Sequence, residues 1–130
     1  MLFRSDFVMI DWQLPLRGPG ANDLARIIVL GLDTESRREH EPRLMQKYLD
    51  LLHAGGVENY TMDDLKEDYR VGIFTSTSIH YLAAASDVQL FIDEVSALGM
   101  DWQDLANYRL RRALEDHDGE RLAELWESWS

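Results

Sequence analysis

The chain has 130 residues, 45% hydrophobic and 28% charged, with 24 acidic against 13 basic side chains and a formal net charge of -11. That length and composition suit one soluble globular domain with a usable core, and the acidic balance argues against nucleic acid or an anionic membrane surface as a partner. There is no cysteine, which excludes disulfides and thiolate metal sites and agrees with a cytoplasmic location. Apolar runs such as residues 27–30 are far too short to span a bilayer, and no basic region precedes an apolar core at the N-terminus.

Residues 1–3 and 7–12 read as two short strands that pair in a hairpin spanning residues 1–13. The second strand delivers Asp11 to its C-terminal end, followed by Trp12 and Gln13. On spacing alone, Asp11 reads equally well as a residue that ends a strand and starts a turn. Residues 14–20 hold Pro15, Gly18, Pro19 and Gly20 and read as loop.

From residue 21 onward the pattern is helical. Asn22 or Asp23 is expected to cap a first helix whose residues 24–32 are apolar on nearly every face, as a buried central helix would be. Asp23, at its first turn, suits the helix dipole and can accept bonds from free N–H groups. Residues 33–36 start a second helix, with Ser36 and Glu39 spaced as a capping box. Leu44, Met45, Tyr48, Leu49, Leu51 and Leu52 form its apolar set, Gly55-Gly56 ends it, and His53 complements the dipole. Pro42 either kinks this helix or begins a new one.

Thr61-Met62-Asp63-Asp64 opens a third helix running to about Ala85, although β-branched residues and Ser at 74–78 leave a strand possible there. Ser86 and Gln89 repeat the capping spacing before a stripe of Val88, Phe91, Ile92 and Val95 closed by Gly99. Asp101 opens the next helix, with Trp102, Leu105, Tyr108 and Leu114 predicted to face inward and Gly119 to break it. Leu122, Leu125, Trp126 and Trp129 complete a short amphipathic terminal helix, its tryptophans read as core packing. The acidic group Asp63, Asp64, Glu67 and Asp68 lacks the calcium-loop spacing and reads as a solvated helix face. His40, His53, His80 and His117 are scattered, with no zinc-binding spacing, and there is no Walker-type glycine loop and no G-x-S-x-G elbow.

Ile10-Asp11-Trp12-Gln13, the Gly/Pro loop and Asn22-Asp23-Leu24-Ala25 together resemble the second half of the active site in aminoglycoside-phosphotransferase-like kinases. The resemblance is to the branch that holds the ecdysteroid-kinase-like and choline-kinase-like small-molecule phosphotransferases. It continues through Arg37-Arg38-Glu39, residues 44–52, Gly56-Val57, Asp68-Tyr69-Arg70 and, more loosely, residues 111–116. It implies a mainly α fold, the helical C-terminal lobe of a protein-kinase-like architecture with a small N-terminal β-hairpin, in one partial domain over residues 1–130.

The resemblance also implies roles. Asp11 would hold magnesium and so the cofactor ATP; Asp23 would give structural support by steadying the catalytic loop; the helices over residues 21–130 would shape a pocket for a hydroxylated small-molecule substrate. The catalytic base belongs to an H-G-D loop expected upstream of Met1, so no catalytic residue is assigned and the isolated chain is expected to be inactive. The alternative is a non-catalytic acidic helical module that binds a protein partner, a second copy of itself in a homodimer included.

Overall fold

The computed structural model describes residues 17–119 apart from 87, 98, 100, 102 and 103. The expected hairpin, Asp11 and the terminal Leu/Trp helix lie outside the described residues. Those described are mainly helical, with no strand among them. In order they are α1 (Ala21–Gly31), α2 (Thr34–Ala54), α3 (Met62–Ser86), α4 (Val88–Ala97), a π-helix π1 (Asp104–Leu110) and α5 (Arg111–Asp116).

The helix boundaries follow from local chemistry. Asp33 caps α2: its carboxylate accepts the Ser36 N–H at 2.9 Å and the Ser36 hydroxyl at 2.8 Å. Ser36 is thus a partner of the cap and not the cap itself, which moves the expected capping box three residues upstream. α2 runs on through Pro42, so of the two expected roles the proline does not begin a new helix. The end of α2 is a Schellman turn. Gly56, with φ +94, sends its N–H to the His53 carbonyl at 3.0 Å, and the Val57 N–H reaches the Leu52 carbonyl at 3.0 Å. His53 is engaged in a bond that the sequence does not suggest, between its Nε2 and the Tyr60 carbonyl at 2.8 Å.

Thr61 and Asp64 form a reciprocal box at the start of α3. The Asp64 N–H donates to Thr61 Oγ1 at 3.2 Å, and the Asp64 carboxylate accepts the Thr61 N–H at 2.8 Å. The stretch that permitted a strand is helical, and its hydroxyls are satisfied by turning back on the chain. Thr75, Thr77 and Ser78 donate to the carbonyls of Val71, Ile73 and Phe74, each four residues earlier, at 2.8–2.9 Å.

α1 and α3 lie along each other and form the largest helix–helix contact, while α2 touches both and π1–α5 packs against α1 and α3. Gly72 makes the α1–α3 approach possible: a Cβ there would sit 2.8 Å from Asn22 Cα and 2.9 Å from Ala25 Cβ. The core combines Ala21, Ala25, Ile28 and Val29 of α1 with Met45 and Leu49 of α2, Leu65, Tyr69 and Ile73 of α3, and Leu110 and Ala113 beyond.

Several inward assignments change. α1 buries one face only, and Ile27 is 70% exposed. Its N-cap is Gly20, with no side-chain capping bond, so neither Asn22 nor Asp23 caps the helix. Leu51 and Tyr108 also face outward. For Tyr108 the reason is π1, whose wider turn departs from the α-helical period used to place it. At the end of α5 the left-handed residue is Asp118, φ +54, one position before the glycine expected to break the helix.

Candidate functional site

Of the two acids assigned from sequence, Asp11 lies outside the described residues. Asp23 sits exposed in the first turn of α1. Beside it Asn22 points its Oδ1 into the interior without a hydrogen-bond partner. The predicted acidic face on α3 is only partly solvated. Asp64 is consumed by the cap, and Asp68 accepts the Tyr60 hydroxyl at 2.7 Å. Burial and Asp68 together push the Tyr60 phenol up.

The structure assembles a second group that sequence reasoning did not single out as a site. The buried stripe of α2 is Thr34, Arg37, Glu41, Met45 and Leu49. One helical face therefore changes from polar to apolar halfway along. Arg37, 1% exposed, donates from Nη1 to Glu41 Oε2 at 2.9 Å and from Nη2 to Asp116 Oδ2. Arg38 grips the same Asp116 carboxylate with two bonds, from Nε at 2.8 Å and from Nη2 at 2.9 Å. Tyr69 donates to Glu41 Oε1 at 2.6 Å. His117 Nε2 lies 2.8 Å from Glu41 Oε2, and its ring is tilted against the Tyr69 ring with centroids 5.2 Å apart. From α3, Arg70 Nε donates to the His117 carbonyl at 2.5 Å.

Side chains of α2 and α3 thus converge on two consecutive residues at the end of α5. Burial raises the Glu41 carboxyl, but bonds from His117 and Tyr69 and the Arg37 charge outweigh it and leave the group below its ordinary range. The Arg38 bond, with help from Arg37, holds Asp116 down at about 2. Burial and the Glu41 charge push the Tyr69 phenol up. All three are driven away from neutral pH, so they serve as fixed charges and donors and not as proton carriers. The arrangement is a clamp. The signal for it was present as Arg37 and Glu41 continuing the Met45–Leu49 stripe at helical spacing.

Against the clamp lies a pocket of about 530 Å³, lined by Glu41, Pro42, Met45, Gln46, Met62 and Lys66, with Arg70 and residues 116–118 completing it. No three His, Asp or Glu side chains among the described residues come together as a metal site. The expectation of magnesium and ATP rests on Asp11 and its sequence motif. No helix among the described residues is long and apolar enough to cross a membrane.

The chain is similar to kinase-like proteins through its match to a family model. It belongs to the family described as uncharacterized oxidoreductase dhs-27 (DUF1679), which matches residues 6–111 and is part of the ecdysteroid kinase-like family. The match takes in Asp11, Asp23, Arg37, Glu41 and Tyr69 and stops short of Asp116 and His117. The word oxidoreductase belongs to that family's label. No curated protein and no solved structure matches the chain.

Proposed function

We propose that this chain is the C-terminal, acceptor-side portion of an ATP-dependent phosphotransferase that acts on a hydroxyl of a small molecule in the cytoplasm. The observation that carries the reading is family membership across residues 6–111, which spans both the I-D-W-Q and the N-D-L-A segments. In this reading Asp11 would hold magnesium, which would supply charge neutralisation for phosphoryl transfer. Asp23, exposed at the first turn of α1, would brace the loop that carries the base.

Exposed apolar side chains are a feature that a companion lobe or a second copy of the chain would cover. Ile27, Leu51, Leu90 and Phe74 are about half exposed or more, as expected of a surface that a companion lobe would cover. Light scattering with an apolar-surface dye separates the readings. Dye binding by a monomer supports the lobe; a dimer that excludes the dye supports the non-catalytic partner-binding module.

The parentage is tested by the coding DNA upstream of the Met1 codon. An in-frame H-G-D, four residues and Asn is the expected result. Stop codons in every frame with no such stretch would contradict it.

A further inference from the structure

The pocket between α2, α3 and the end of α5 carries chemistry that the phosphotransferase reading does not use. Its floor is apolar, made by Pro42, Met45 and Met62. Its carboxylates are already committed. Glu41 accepts from Arg37 and Tyr69 and faces His117, and Asp116 is held by Arg37 and Arg38. Its cations keep donors to spare, although Arg70 is ion-paired with Glu67 at 2.5 Å. Among the described residues Lys66 has only the exposed Asp63 at 3.8 Å, beyond hydrogen-bond reach. Arg70 spends Nε on the His117 carbonyl and Nη1 on Glu67, which leaves Nη2 without a hydrogen bond to a described residue. Lys66 and Arg70 are four residues apart on α3, hence on one face. Among the described residues Asp118 is the one lining acid outside the clamp, and it is exposed.

The free valence of the pocket is therefore cationic donors above an apolar floor, inside an acidic protein. We propose that this pocket binds a small amphipathic anion, with a carboxylate or phosphate head on Lys66 and Arg70 and an apolar body over Pro42, Met45 and Met62. The volume suits such a ligand, and the acids in the wall do not oppose the head, because the clamp already neutralises Glu41 and Asp116.

The test uses the full chain labelled at the methionine methyls, titrated separately with octanoate, octyl phosphate, octanol and octylammonium. Both anions are expected to shift the Met45 and Met62 methyls, with apparent affinity about ten-fold above octylammonium, the cost of exchanging a charge-assisted contact for a repulsive one. The stronger of the two anions identifies the head group. Lys66 is more than half exposed, so Lys66→Glu is expected to fold, and it should abolish the anion preference while octanol binding persists. The proposal is overturned if neither methyl moves, if octylammonium binds as tightly as the anions, or if Lys66→Glu keeps the preference.

Discussion

Tyr69 on α3 donates its hydroxyl to the Glu41 carboxylate on α2 at 2.6 Å, with both side chains buried. The bond ties two helices at the point where the buried stripe of α2 changes from charged to apolar. Glu41 also carries the buried Arg37, so the two ends of this carboxylate are not equivalent. Removing the phenol with Tyr69→Phe leaves one oxygen unsatisfied and is expected to cost about 1–3 kcal/mol. Glu41→Ala leaves Arg37 with Asp116 as its remaining carboxylate and the Tyr69 hydroxyl without its acceptor, and is expected to cost more, up to about 3–5 kcal/mol. Urea denaturation of both variants measures this; equal, small losses would mean that the clamp contributes little.

Stability should fall in acid over a defined window. Asp116 titrates at about 2 in the folded chain against an ordinary 3.8, and Glu41 is also lowered. For a depressed carboxyl the stabilisation is fully present above the unfolded value and is lost as pH falls through the folded one. The loss therefore begins near pH 4.5 and runs down toward pH 2. With the Asp116 side chain 28% exposed, its share is roughly 1–2 kcal/mol after solvent screening. Denaturant midpoints measured from pH 7 to pH 2 should show a shallower acid slope in Asp116→Asn. An unchanged slope would remove Asp116 as its source.

Gly72 is the closest point between α1 and α3. The clash that a Cβ would make is with Asn22 backbone at 2.8 Å, which cannot be relieved by turning a side chain. Gly72→Ala should gain helix propensity yet lose about 1–3 kcal/mol through separation of the two helices. A thermal melt at or above that of the parent would show that α1 does not seat on α3 as described.

Two helix ends make opposite predictions. Gly56 occupies a left-handed position at φ +94, so Gly56→Ala should destabilise by about 1 kcal/mol. Asp118 holds φ +54 without being glycine, so Asp118→Gly should be neutral or stabilise by up to about 1 kcal/mol. Chemical denaturation of the pair reads both signs; the reverse order would contradict the turn geometry.

What was legible in the sequence were the features with short-range causes. The Thr61–Asp64 signature, the extent of α3, the Gly55-Gly56 stop and the Val88 to Ala97 helix depend on caps, turns and local spacing, and they stand where expected. Features decided by tertiary contact were not legible. α2 continues through Pro42 although its Arg38 carbonyl loses the usual donor; both flanks of the proline contribute to the buried stripe, with Glu41 and Met45 on either side. The π-turns of Asp104–Leu110 break the period that placed Tyr108 inside; its hydroxyl instead reaches Glu35 at 2.9 Å. The clamp joins Arg37 to Asp116 across 79 positions, a distance at which no local pattern pairs residues. Of the acids assigned from sequence, Asp23 is at the first turn of α1 as read, without the capping bond, and Asp11 falls outside the described residues.

The phosphotransferase reading is tested most directly by phosphoryl transfer from γ-labelled ATP to a panel of hydroxylated small molecules. The protein should be expressed from its complete reading frame, with and without Asp11→Ala. The reading predicts magnesium-dependent transfer that falls by about a thousand-fold or more in the variant, several kcal/mol of lost charge stabilisation. Transfer that survives Asp11→Ala undiminished, or a complete protein that transfers no phosphate to any acceptor, would contradict it.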